Sequence, residues 1–99
     1  MTIAIFDPEA RKEFLSAVQY YEDCQTGLGR RFRDIVEDSI TKIIAEPLRY
    51  RVFYISFRRH LLPKFSYAII YSIEPHHIHI IAVAHTKQKP EYWLTRAER

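Results

Sequence analysis

The architecture turns on one run: Phe65-Ser66-Tyr67-Ala68-Ile69-Ile70-Tyr71-Ser72-Ile73-Glu74-Pro75-His76-His77-Ile78-His79-Ile80-Ile81-Ala82-Val83-Ala84-His85. Two β-rich segments flank a turn at Glu74-Pro75-His76, where proline and short-range polar residues interrupt extended chain. Phe65, Tyr67, Ile69, Tyr71 and Ile73 alternate, so they are expected on one face of the first strand. In the second strand, Ile78, Ile80, Ala82 and Ala84 are expected on one face and His79, Ile81, Val83 and His85 on the other. Both faces are apolar in mid-strand. A sheet covered on one side only shows a polar second face. Helices therefore have to cover one side, and the tail Pro90 to Leu94 or a partner protein part of the other.

Upstream, Val52 to Leu62 is again β-rich, with a turn or irregularity around Tyr54 to Phe57. Before Pro47 the period changes. Asp7-Pro8-Glu9 reads as a helix start: a capping aspartate, proline at the first helical position, and an acid favoured by the helix dipole. Ala10, Phe14, Ala17, Val18 and Tyr21 form its apolar stripe, and Thr26-Gly27 its exit. Leu28, Phe32, Ile35, Val36, Ile40, Ile43 and Ile44 mark the buried face of a second helix, stopped by Pro47. The short link between them predicts an antiparallel helical hairpin. Thr2 to Phe6 is a candidate first strand. The expected fold is α+β: strand, helix, helix, then three strands. The helical hairpin packs on one face of a small twisted antiparallel sheet, and a short tail helix follows.

A chain of 99 residues has room for one domain, taken here as 1–99. Its 47% hydrophobic and 27% charged residues exclude a disordered chain. The single cysteine, Cys24, forbids an intramolecular disulfide, which suits a reducing compartment or is neutral to it. Met1 to Phe6 is apolar but lacks a basic start and stops at Asp7-Pro8, and no apolar run approaches the ~20 residues of a membrane helix. A cytoplasmic protein without membrane contact is expected. The net charge of +3 is unevenly placed. Residues 1–47 hold six Lys/Arg against nine Asp/Glu; residues 48–99 hold nine against three, and all five histidines. A basic half of this kind favours an anionic partner, nucleic acid or an acidic protein, or is simply a solvated basic surface.

Several segments together resemble the RelE/ParE toxins of bacterial type II toxin–antitoxin pairs. Glu13-Phe14-Leu15, Tyr20-Tyr21-Glu22, Gly27-Leu28-Gly29 and Arg31-Phe32 resemble that family's helical hairpin. Ile43, Pro47, Arg49 and Tyr50 resemble the end of its second helix. Arg58-Arg59, Leu62, Phe65-Ser66-Tyr67 and Tyr71 are similar to its Arg-rich strand and following Phe-Pro-Tyr strand, with Ser66 where proline is common. Ala82-Val83-Ala84-His85, Lys87, Lys89-Pro90 and Trp93 are similar to its last strand and basic tail. The match spans nearly the whole chain and is nearer the ParE branch. The resemblance implies a toxin held in check by a cognate antitoxin, with a homodimer or a heterotetramer with that antitoxin as the expected assemblies. ParE-like members poison DNA gyrase; RelE-like members cleave mRNA on the ribosome.

Each alternative names its residues. A gyrase poison needs contact residues: Arg58, Arg59, Lys64, Lys87 and Lys89. An mRNA endonuclease using the RNA's own 2′-hydroxyl needs a base, a proton donor and cations, with no metal. Arg58, His85, Lys87 and Tyr92 would fill those roles, with Arg59 and Lys64 as further cations. A non-toxic member that only binds its partner is the third reading. Tyr92 and Trp93, in a polar tail, are expected either to pack back on the sheet or to bind the partner. His76, His77 and His79 lack a carboxylate or cysteine to complete a metal site, so neither metal nor cofactor is expected. Cys24 has no histidine nearby in sequence, and Gly27-Leu28-Gly29 follows a helix rather than a strand, which excludes a phosphate loop.

Overall fold

A computed structural model of the chain describes residues 2–97. The elements are β1 (Ile3–Phe6), α1 (Pro8–Cys24), α2 (Leu28–Ala45), β2 (Val52–Tyr54), β3 (Phe57–Leu61), β4 (Tyr67–Ile73), β5 (His77–His85), a 3₁₀ turn (Pro90–Trp93) and α3 (Leu94–Ala97). The α+β order is the expected one, with Val52 to Leu62 divided into a hairpin at Ile55-Ser56. The sheet runs β1-β5-β4-β3-β2. β2 to β5 form an antiparallel meander, but β1 pairs parallel with β5. The sheet is thus mixed rather than wholly antiparallel. The strands that meet, β1 and β5, are the first and last of the chain, and the helical hairpin and meander lie between them.

Local chemistry sets the helix ends. Asp7 Oδ1 accepts the Glu9 N–H at 2.9 Å, and Pro8 opens α1. Gly27, expected at the exit of α1, sits instead immediately before α2, with φ at 89°. Only glycine takes that conformation without strain. Glu22, near the end of α1, accepts the N–H groups of Gly27 (3.0 Å) and Gly29 (3.1 Å) and so caps α2 from the neighbouring helix. A Cβ at Gly29 would collide with the Val18 carbonyl, so glycine there lets the two helices close together.

Two apolar clusters sandwich the sheet. Under the helices, Phe32, Val36 and Ile43 meet Ile69, Tyr71, Ile78, Ile80 and Val83. Tyr71 donates its hydroxyl to the Pro47 carbonyl at 2.7 Å, tying the exit of α2 to the sheet. On the other face Phe57, Ala68, Ile70, Ile81, Ala82 and Ala84 close around Trp93. The tail supplies the second cover.

The assignment of faces on β5 needs correction. Ile70 pairs with Ala82 but Tyr71 pairs with Ile80, leaving Ile81 as an extra residue. This β-bulge shifts the alternation by one. Ile78 and Ile80 therefore face the helices with Val83, while Ala82 and Ala84 lie with Ile81 under the tail.

Candidate functional site

Strand register separates the two adjacent arginines. Arg58 pairs with Tyr71, which packs under the helices, and Arg59 with Ile70, which packs under the tail. Arg58 turns back to the loop after α2, donating to the carbonyls of Tyr50 (2.7 Å) and Leu48 (3.4 Å). Arg59 lies exposed on the opposite face, its guanidinium carbon 5.0 Å from the Phe53 ring centre. A cation over an aromatic face is held there without losing its charge to a carboxylate.

Arg59 and His85 line one small hollow with Phe53, Gln88 and Trp93. His85 ends β5. Its Nδ1 accepts the Lys87 N–H at 3.1 Å, its own N–H goes to Gln88 Oε1 at 3.1 Å, and its ring stands 5.3 Å from that of Tyr67. With Nδ1 accepting, Nε2 carries the proton of the neutral ring. Lys64 lies exposed in the turn before β4, and Lys87 and Lys89 lie exposed after β5. The Thr86 N–H donates to the Ser66 carbonyl at 2.9 Å, so these two turns meet at one end of the sheet. Lys64, Lys87 and His85 thus share that end, Arg59 faces the His85 hollow, and Arg58 lies apart from both.

Tyr92 and Trp93 hold the tail down. Trp93 is 1% exposed and packs on Phe57, ring centres 4.8 Å apart. Tyr92 donates its hydroxyl to Glu13 Oε2 at 2.5 Å. Burial, then the bond to Glu13, pushes that phenol well above its ordinary range. Arg96 grips the same carboxylate with both arms, at 2.9 and 3.1 Å, and also donates to the Ile81 carbonyl at 3.0 Å. Its hydrogen bond with Glu13 raises the guanidinium's pKa further. Glu13 completes the cluster by accepting the Val83 N–H at 3.1 Å. Sequence reasoning missed Glu13 and Arg96. Their residue types are ordinary for a helix and a polar tail, and nothing local joins positions so far apart in the chain.

His60, also missed, is buried on β3 with neither ring nitrogen hydrogen-bonded, edge-on to Tyr50 at 4.5 Å. Burial, then nearby Lys42, lowers its pKa. His77 and His79 line an open cleft with Asp7, Ile55 and Leu94, and His79 Nε2 lies 3.8 Å from Asp7 Oδ2. Among the described residues no three His, Cys, Asp or Glu side chains gather as metal ligands. Cys24 is exposed. No helix among the described residues is long and apolar enough to cross a membrane.

Comparison with known proteins agrees with this geometry. The profile of the ParE toxin of type II toxin–antitoxin systems, parDE, matches residues 4–90. A solved chain of the chromosomal ParDE TA system from P. aeruginosa superposes with a TM-score of 0.64 at 12% identity, covering 86% of this chain and 96% of that one. At that identity the likeness speaks for the fold alone. No curated protein matches at a significant level. With the profile covering almost all of the helical hairpin and the sheet, the chain belongs to the ParE toxin family of type II toxin–antitoxin systems.

Proposed function

We propose that this toxin acts by binding DNA gyrase, with no catalytic step of its own, and is neutralised by a cognate antitoxin. The observation that carries the reading is the division of labour among its polar residues. Arg58 bonds loop carbonyls, and Tyr92 is locked to Glu13 with its proton held more tightly than in a free phenol. Two members of the nuclease set are thereby engaged in the fold. Arg59, Lys64, Lys87 and Lys89 remain exposed, as contact residues for a large target should be. Purified toxin should trap gyrase on cut DNA and inhibit supercoiling, and Arg59→Ala or Lys87→Ala should weaken that inhibition. Unaffected supercoiling at high toxin excess would overturn the reading.

One observation favours ribosome-dependent mRNA cleavage as the second reading: Arg59 and His85 line the same hollow. Translating extracts distinguish the two. A nuclease cleaves the message and loses that activity on His85→Ala; a gyrase poison leaves the message intact.

The antitoxin is expected to be acidic. Between Glu46 and Glu74 the chain holds no acid, and Arg49, Arg51, Arg58, Arg59 and Lys64 all fall there. Such an arc attracts a negatively charged partner and speeds its docking. The chain acts in the cytoplasm, where gyrase and message are found.

A further inference from the structure

The sheet has two edge strands, β1 and β2. The fold itself closes a third exposed stretch. Beyond the end of β1, the rim of β5 is covered by Glu13 at the Val83 N–H and by Arg96 at the Ile81 carbonyl. β2 is blunted in the ways edge strands usually are. It is three residues long, its pairing is irregular between Val52 and Tyr54, and Arg49 and Arg51 precede it. β1 is also short, at four residues, but it has neither the irregular pairing nor the flanking arginines. Residues 2–6 read Thr-Ile-Ala-Ile-Phe, without charge or proline, and Ile3–Phe6 lie in even parallel register with β5. Ile3 and Ile5 are 52% and 44% exposed, beside His77 and His79 in that register. Branched apolar side chains along an unpaired edge are a template for another strand.

We propose that β1 is a self-association edge: two copies of this chain join β1 to β1, antiparallel about a twofold axis, into one continuous sheet. Hydrogen-bond parity gives the register. Asp7 sends its N–H inward to the Ile80 carbonyl at 2.8 Å. Backbone groups alternate sides along a strand, so Thr2, Ala4 and Phe6 turn N–H and C=O outward. Facing residues of an antiparallel pair exchange both bonds. On a twofold axis this sets Ala4 against its own copy and Thr2 against Phe6. Ile3 then stands opposite Ile5 of the second copy, in the close non-hydrogen-bonded position where apolar cross-strand pairs gain most. Ala4 at the axis is small, which leaves room between the two helical hairpins.

Charge selects the same occupant. The acid-free segment with its arginines lies on β2, β3 and the turns around them, toward the far edge of the sheet. Joining through β1 holds the two basic edges apart, whereas pairing through β2 would press Arg49 and Arg51 against their copies. The contact is short, well below the ~800 Å² per partner of a permanent dimer. The dimer therefore exchanges with monomer, and its formation does not depend on which target the toxin has.

Sedimentation velocity over a dilution series tests this. The wild-type chain should show a monomer–dimer equilibrium, weakened at least about tenfold by Ile3→Lys with Ile5→Lys, because like charges then face each other. Both side chains are exposed, so Tm should hold. A second measurement does not rely on those variants folding normally. In a Cys24→Ser background, Ile3→Cys mixed with Ile5→Cys should form an inter-chain disulfide on mild oxidation far more readily than either alone. Monomer at every concentration, a dimer indifferent to the lysines, equal cross-linking in all mixtures, or an edge that takes only a foreign peptide strand would each overturn the proposal.

Discussion

Arg58 and Arg59 are neighbours in sequence and strangers in space. A strand turns successive side chains to opposite faces, so one arginine stitches the loop after α2 while the other faces the tail side. Arg58→Ala should therefore lower stability by about 1–2 kcal/mol, the worth of charge-assisted bonds to two carbonyls, measured by urea unfolding. Arg59→Ala should leave stability within about 0.5 kcal/mol and change only target binding. His60 makes a second residue-scale prediction. Its ring is buried without a hydrogen-bond partner, and burial followed by Lys42 holds its pKa below 6.5. The unfolded chain takes up that proton near pH 6.5 and the folded chain only at lower pH. The stability linked to His60 is therefore full above pH 6.5 and is lost as pH falls through the folded value. Urea titrations between pH 7 and 5 should show this loss in the wild type and a shallower slope in His60→Phe.

Among the elements, the tail behaves as a structural layer. Its Trp93 fills the second core, and Tyr92 and Arg96 converge on Glu13 of α1. Removing the indole leaves a cavity as well as losing its burial. Trp93→Ala should cost about 3–5 kcal/mol and expose the tail to limited proteolysis. A tail that resists proteolysis in that variant would show that other contacts hold it. The sequence already showed why a cover was needed, since β4 and β5 are apolar on both faces. It did not show the bulge at Ile81. A bulge is one residue out of step with its partner strand, and β5 read alone gives no sign of it. Alternation therefore placed Ala82, Val83 and Ala84 on the wrong sides.

Over the whole molecule, charge follows the sheet. The acid-free arc from Leu48 to Ile73 lies at the β2 side, and acids concentrate in the helices. Association with an acidic partner should accordingly slow as salt rises from about 0.05 to 0.5 M, because the Debye length shrinks from ~14 to ~4 Å. Stopped-flow association rates measure this directly. Rates flat across that range would mean that the basic arc does not guide the encounter.

The sequence alone determined the helical hairpin, the meander and the two-faced apolar sheet, because capping, periodicity and turn chemistry act within a few residues. It also singled out Lys64, Lys87 and Lys89, since the basic excess of the second half is visible in composition. Tertiary structure alone decided that β1 closes on β5 in parallel, that Arg58 bonds the carbonyls of the loop after α2, and that Glu13 gathers Val83, Tyr92 and Arg96 from 70, 79 and 83 residues away. Those contacts join segments with no local signal for one another. They form only when burying both faces of the sheet brings the two ends of the chain together.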